Sequence, residues 1–163
     1  MLIATENYTL EIILKLSKHF SLEELTFSQT AARLGIDNTP SDEVLENLKH
    51  LCSYLEKIRE YLGGLGIVVS SGYRCKELNV AIGGAKTSRH MTGLAVDFTV
   101  PRYGNPLTVA KAIRDSGIPY NQLIHEYGKW VHLEVIPVGM DEKDAKKQDL
   151  SIKKGTGYTK GLT

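Results

Sequence analysis

The clearest pattern along the chain is an apolar period in residues 42–62. Apolar residues recur there every three or four positions, which predicts one long amphipathic helix. Its apolar face consists of Val44, Leu48, Leu51, Leu55, Ile58 and Leu62. Ser41 or Asp42 can cap the start of this helix, and the glycines of "GGLG" end it. We expect it to cover the core.

Shorter helices are predicted on both sides of the long one. Residues 10–18 have a weaker amphipathic pattern. Ser21, with Glu24 three residues later, forms a capping box for the next helix. Residues 75–82 predict another short helix, and residues 105–117 ("NPLTVAKAIRDSG") combine an asparagine cap, a proline in the first turn and a glycine at the end.

Strands are predicted from residue 67 onward, where "IVVSS" and "LAVDFTV" are rich in β-branched residues. "QLIHEY", the turn "GK" and "WVHLEVIP" predict a β-hairpin. The lysine-rich residues 139–163 are expected to form a loosely ordered tail. The order of elements predicts one α+β domain over residues 1–138, with helices in 1–62 packed on a small, mainly antiparallel sheet in 63–138.

Charge and composition narrow the classes of partner. The 163 residues include 20 Lys plus Arg and 19 Asp plus Glu, so no strong net field attracts nucleic acid or anionic lipid. Glu6 and Glu11 interrupt the apolar N-terminus, where a signal peptide would be uniformly apolar. We expect no nucleic-acid partner, no membrane insertion and synthesis in the cytoplasm. Cys52 and Cys75 are too few for a disulfide framework.

Candidate metal ligands lie in and next to the predicted sheet. Because side chains alternate along a strand, Asp97 points away from the apolar face of "LAVDFTV", and His132 lies on one face of the hairpin. Two imidazoles and a carboxylate suffice for a catalytic zinc, and His90, Asp97 and His132 can supply them. Taken alone, however, His90 also fits a surface loop histidine, and Asp97 an exposed strand acid.

Other polar residues can complete a hydrolytic site. A bound zinc ion lowers the pKa of its water toward ~7, so a nearby carboxylate can take the proton. Glu126 is the natural base if the hairpin register brings it beside His132, and Glu134 is the rival. Arg74, in "SGYRC", can clamp a substrate carboxylate or stabilise an oxyanion, or it can simply pair with a nearby acid.

Three separated blocks resemble the zinc D-alanyl-D-alanine carboxypeptidase family, which shares its fold with the hedgehog signalling domain. The family pattern is Ser-x-His, then Gly-x-Ala-x-Asp, then Trp-x-His. The matching residues here are Ser88 and His90, then Gly93, Ala95 and Asp97, then Trp130 and His132. The resemblance covers roughly residues 18–137 and is to a branch of small bacterial and phage proteins.

The resemblance implies a zinc peptidase that acts on stem peptides of bacterial peptidoglycan, as a carboxypeptidase or an endolysin-type endopeptidase. The zinc ligands it implies are His90, Asp97 and His132, and the substrate-binding residues are Arg74, Ser71, Ser88 and Trp130. A protein of this kind without a signal peptide would reach the wall by a holin-like route.

One position departs from the family pattern. Many members place the catalytic glutamate three positions before the last zinc ligand, where this chain has Lys129. We expect Glu126 to do the same work. The hedgehog relatives also leave open a module that keeps the zinc but binds a wall polymer or a protein without catalysis.

Overall fold

The computed structural model describes residues 13–163. Its five α-helices are α1 (Leu22–Thr26), α2 (Gln29–Leu34), α3 (Asp42–Tyr61), α4 (Lys76–Ala81) and α5 (Pro106–Asp115). Its six strands are β1 (Val68–Ser71), β2 (Ala95–Thr99), β3 (Gln122–Glu126), β4 (Trp130–Glu134), β5 (Gln148–Ile152) and β6 (Thr159–Lys160). The pattern of apolar residues did not predict α2.

The strands form one sheet in the order β1-β2-β4-β3-β5-β6. Every neighbouring pair is antiparallel except β3 and β5, which run parallel. The predicted α+β fold with a mainly antiparallel sheet is therefore confirmed. The predicted hairpin is confirmed as well, and it forms the centre of the sheet.

Local capping fixes the helix ends where the sequence placed them. The Ser41 side chain accepts a hydrogen bond from the backbone N–H of Val44, and Ser21 and Glu24 form the reciprocal capping box. At the other end of α3, Gly63 and Gly64 have φ of 82° and 75°, a left-handed conformation that glycine adopts without steric cost.

One buried cluster joins the apolar face of α3 to the sheet. Leu48, Leu51 and Leu55 of α3 are fully buried, as are Val96 and Phe98 of β2. Each such side chain stabilises the fold by about 1.5–3 kcal/mol relative to an exposed position. The core thus occupies one face of the sheet, and the opposite face is left for polar chemistry.

Residues 13–18 are not helical, so the prediction of a helix over 10–18 is wrong for this part; residues 10–12 lie outside the described residues. The chain folds back instead: the backbone N–H of Leu16 bonds to the carbonyl of Phe20, and Lys15 bridges to Ser21. Side-chain contacts with Glu56 of α3 hold this turn, and such a distant partner leaves no trace in the local pattern.

The C-terminal residues differ from the expected loose tail. β5 pairs in parallel with β3, and β6 pairs with β5. The core-side residues of β5 are polar: Asp149 accepts a hydrogen bond from the Tyr120 hydroxyl at 2.5 Å, and Ser151 is fully buried. Because β5 lacks an apolar core face, its sequence carries no strand signal. Within residues 13–163, no helix combines the length and the apolar character that crossing a membrane requires.

Candidate metal centre

Three elements bring the predicted ligands together on the polar side of the sheet. His90 lies in a 3₁₀ turn (Arg89–Thr92), Asp97 in β2 and His132 in β4. The β2–β4 register places Asp97 directly opposite His132. His132 Nδ1 lies 2.8 Å from Asp97 Oδ1, and His90 Nε2 lies 3.3 Å from each of these atoms.

This arrangement fits a zinc ion. The ligand atoms all lie within 4.8 Å of one another, and tetrahedral zinc with ligands at about 2.0–2.1 Å implies separations of about 3.3 Å. Two imidazoles with one carboxylate suit zinc better than calcium or magnesium, which prefer oxygen ligands. His90 and Asp97 are only 1% and 7% exposed, so the donor set is held in a protected place.

The backbone of Gly72 orients His90. The Nδ1 atom of His90 lies 2.7 Å from the Gly72 carbonyl oxygen, which fixes Nδ1–H as the donor and leaves Nε2 to face Asp97 and His132. Burial lowers the pKa of His90, so its imidazole stays neutral at pH 7, as metal ligation requires. Gly72 can lie directly against α1 because it has no side chain. A Cβ at this position would collide with the carbonyl oxygen of Leu25.

Asp97 is a buried carboxylate stabilised by its neighbours. Burial by itself raises the pKa of Asp97, but the hydrogen bond with His132 and the nearby His90 ring outweigh this effect and hold the pKa well below its usual range. Arg74 adds a positive charge, with a guanidinium nitrogen 3.6 Å from Asp97 Oδ2. Asp97 is therefore ionised at neutral pH and can serve as an anionic ligand.

The three candidate ligands lie in the wall of a cleft of about 430 Å³. Arg74, Ser88, Glu126 and Glu134 line this cleft together with the three candidate ligands. The cleft is also lined by residues that no sequence motif marks as site residues, among them Arg89, Gln122, Leu150 and Tyr158. Leu150 and Tyr158 belong to the segment expected to be loose, so no local signal marked them.

The hairpin register settles the position of Glu126. Glu126 pairs directly with Trp130, and the indole Nε1 of Trp130 donates a hydrogen bond of 2.9 Å to Glu126 Oε2. Burial raises the pKa of Glu126, and the negative charge of Asp97 raises it further. A half-buried carboxylate with a raised pKa beside a candidate metal site is suited to proton transfer near neutral pH.

The rival carboxylate has a different environment. Glu134 also lines the cleft, but its Oε1 lies 3.5 Å from Nε of Arg89, so a cation already partners it. Lys129, at the position where many relatives carry glutamate, lies in the hairpin turn and donates its backbone N–H to the Glu126 carbonyl. Its side chain lines a separate groove with Tyr127.

The remaining predicted residues divide between the cleft and its surroundings. Ser88 lines the cleft, and its hydroxyl accepts a long 3.4 Å hydrogen bond from the His90 N–H. Ser71 pairs with Asp97 across β1 and β2 but lines a neighbouring groove, which it shares with Arg74. Trp130 stands behind Glu126, in the groove that Lys129 and Tyr127 also line.

Arg74 occupies the boundary between two cavities. Its side chain is 12% exposed, and one guanidinium nitrogen lies 3.4 Å from Asn79 Oδ1. Its buried Nε has no hydrogen-bond partner within residues 13–163. Arg74 is thus both paired with a candidate ligand and directed toward the cleft, so its two sequence-based interpretations, ion pair and substrate clamp, are compatible.

Comparison with known protein families identifies the family of this chain. The sequence profile of the family described as Peptidase M15 matches residues 18–134, which include all three candidate ligands and Glu126. No curated protein matches the chain significantly. The matched region covers most of the chain, and the His-Asp-His group lies inside it. The chain therefore belongs to the Peptidase M15 family of zinc-dependent D-Ala-D-Ala carboxypeptidase-type peptidases.

Proposed function

We propose that this protein hydrolyses a peptide bond in the stem peptides of bacterial peptidoglycan. One observation carries the proposal: a single cleft joins a zinc-type donor set, a carboxylate with a raised pKa and a buried guanidinium. These are the groups that metal-assisted hydrolysis of an amide needs, namely a metal site, a base and a cation for substrate.

His90, Asp97 and His132 would hold the zinc ion. When bound, zinc polarises a carbonyl oxygen and lowers the pKa of a water molecule toward ~7. The protein prepares for this with a neutral His90 and an ionised Asp97, and the Gly72 carbonyl holds the His90 ring in place. Neither of these two side chains therefore has to lose a proton at pH 7 before it can bind zinc.

Glu126 is proposed to move the proton. Its carboxylate would accept a proton from the attacking water and then donate it to the leaving amine nitrogen, so the glutamate is regenerated after each turnover. The hydrogen bond from Trp130 holds one carboxylate oxygen, Oε2, and fixes the orientation of the group. Glu134 is less suited because Arg89 already pairs with it.

Arg74 is proposed to orient the substrate. Stem peptides carry terminal and side-chain carboxylates, and a guanidinium binds a carboxylate through directional, charge-assisted hydrogen bonds. The place of Arg74 at the cleft wall supports this role. The two proposed activities differ in the position of the substrate carboxylate that Arg74 would bind. In a carboxypeptidase it is the terminal carboxylate next to the cleaved bond, and in an endolysin-type endopeptidase the cleaved bond is internal.

The proposed activity can be tested on purified muropeptides analysed by mass spectrometry. We expect cleavage with zinc, loss of cleavage with a chelator, and recovery when zinc is restored. The mass of the products identifies the bond: release of one terminal alanine indicates a carboxypeptidase, and an internal cut an endopeptidase. Binding of muropeptides without cleavage by the zinc-loaded protein would instead support the non-catalytic binding module.

Substitution of Glu126 tests the assignment of the base. Glu126→Gln keeps the shape and the Trp130 contact but cannot take a proton, so we expect kcat to fall by roughly 10²–10⁴-fold. The zinc content should stay unchanged, because Glu126 is not a proposed ligand. Glu134→Gln is the matched comparison; a larger loss of kcat in that variant would assign the base to Glu134.

A further inference from the structure

The cleft has two walls that come from different parts of the chain. One wall is formed by the loop that contains Gly84 and Ser88, inside the family match. The other is formed by Leu150 of β5 and by Tyr158, both beyond residue 134, where the family match ends. We propose that residues 148–160 are a substrate-binding wall of this protein, with Tyr158 as its substrate-contacting residue. This inference rests on the proposed function.

The wall is fixed to the sheet. The β3–β5 register sets Ile124 beside Leu150, and the backbone N–H of Tyr127 donates to the Ile152 carbonyl at 2.8 Å. β5 therefore extends the floor of the cleft beside β3, the strand that carries Glu126. A substrate bound near Glu126 meets this floor next.

The segment that carries Tyr158 is anchored on both sides. β6 pairs with β5 directly after Tyr158, and the backbone N–H of Gly161 donates to the Asp149 carbonyl at 2.9 Å. The Ser151 hydroxyl, fully buried, donates to the Gly161 carbonyl at 2.8 Å. Leu162 adds an apolar anchor in the core. Tyr158 is therefore held at the cleft by a built structure.

The chemistry of this wall suits a peptide with a small apolar side chain. Ile124 and Leu150 supply an apolar floor that is nearly buried. Tyr158 lines the same cleft with 61% of its surface exposed, so its ring and hydroxyl remain available to a ligand. A tyrosine offers an apolar face and a hydrogen-bond donor together. The wall would therefore contact a methyl-sized side chain with the ring and a peptide carbonyl with the hydroxyl.

Substitutions at Tyr158 test this inference by kinetics. Tyr158→Ala removes ring and hydroxyl, and we expect KM for an alanine-containing stem peptide to rise roughly tenfold. Because Tyr158 is not proposed to take part in proton transfer, kcat should change much less. Tyr158→Phe keeps the ring and should raise KM by a smaller factor. Tyr103→Ala, at an exposed tyrosine in the loop before α5, is the matched control and should leave KM unchanged.

An equilibrium measurement separates this inference from the proposed function. Trp130 is the single tryptophan of the chain and contacts Glu126, so its fluorescence reports binding without turnover. We expect an alanine-containing stem peptide to bind Glu126→Gln protein about tenfold more weakly when Tyr158→Ala is added. Weaker binding without any hydrolysis by wild type would refute the proposed function alone. Equal binding and equal KM, with an unchanged melting temperature, would overturn the role of Tyr158.

Discussion

Asp97 shows at the level of single residues why the site is tied to metal chemistry. A carboxylate that is 7% exposed is costly unless charged or hydrogen-bonding partners compensate it. Here His90, His132 and Arg74 surround it. Two imidazoles that meet at one carboxylate oxygen form a donor set suited to zinc.

Removal of one imidazole should therefore weaken metal binding strongly. We expect His132→Ala to lower zinc affinity by at least about 100-fold, because it leaves two protein ligands where three are needed. Competition with a chromophoric chelator measures the affinity. His125→Ala is the control, since His125 lies on β3 but lines a different groove. Unchanged zinc affinity in His132→Ala would contradict the proposed ligand set.

The element that most directly connects fold to site is the chain after β1. Gly72 contributes its carbonyl oxygen to His90 while its Cα lies against the backbone of α1. The backbone N–H of Tyr73 bonds to the Leu25 carbonyl at 2.7 Å, which holds the two segments in contact. The geometry of the candidate metal site thus depends on how α1 packs on the end of β1.

A methyl group at Gly72 should disturb both stability and metal binding. In Gly72→Ala the Cβ would collide with the Leu25 carbonyl, and we expect the free energy of unfolding to fall by about 1–3 kcal/mol. Zinc affinity should fall too, because the oxygen that orients His90 is displaced. Urea unfolding and zinc titration measure the two effects. Gly66→Ala, where no atom lies within 4 Å of the added Cβ, should leave both nearly unchanged.

Helix α3 holds the N-terminal turn through Glu56. The Glu56 carboxylate accepts hydrogen bonds from the Ser17 hydroxyl at 2.6 Å and from the His19 backbone N–H at 2.8 Å. Burial raises the pKa of Glu56, but these hydrogen bonds lower it by more, so its net shift is downward. The charged form is therefore the one that stabilises the turn.

This downward shift predicts a pH-dependent contribution to stability. Above the ordinary carboxyl pKa of about 4.3 the contribution is complete, and it is lost as the pH falls through the lowered pKa of Glu56. We expect Glu56→Gln to lower the free energy of unfolding by about 1 kcal/mol at pH 7, and by less at pH 3. Denaturant unfolding at both pH values checks this. Glu60→Gln, at an exposed position on α3, is the control. An equal loss of stability in Glu56→Gln at both pH values would contradict the prediction.

At the scale of the whole molecule, the sheet separates two tasks. Its core face packs in one cluster with α3 and α5, and its polar face carries the cleft. His90 and Asp97 lie close together in the sequence, in a turn and in the strand that follows it, whereas His132 lies far along the chain in β4. Only the folded protein assembles them, so a metal bound there stabilises the whole fold.

Zinc should therefore raise the melting temperature. At a free zinc concentration 100 times Kd, the expected gain is about 2.7 kcal/mol, which corresponds to roughly 5–10 °C for a protein of this size. Calorimetry with zinc and with a chelator measures the shift. In His132→Ala the shift should disappear; an equal shift in that variant would place the stabilising zinc elsewhere.

Local patterns in the sequence were enough to predict the elements whose stabilising interactions are local. The period of α3, its cap at Ser41, the capping box at Ser21 and the hairpin were all readable because neighbouring residues make these contacts. Separated motif blocks also indicated the candidate ligands and the family. Alternation along β2 placed Asp97 opposite the apolar face, and the structure agrees.

Features that depend on residues far apart in the chain became visible only in the folded protein. The pairing of Glu126 with Trp130 required the hairpin register, and the need for glycine at position 72 required the position of α1. The strand β5 has polar residues, Asp149 and Ser151, on its core side. Their partners are distant side chains and backbone, so the local pattern gave no sign that this segment completes the sheet and brings Tyr158 to the cleft.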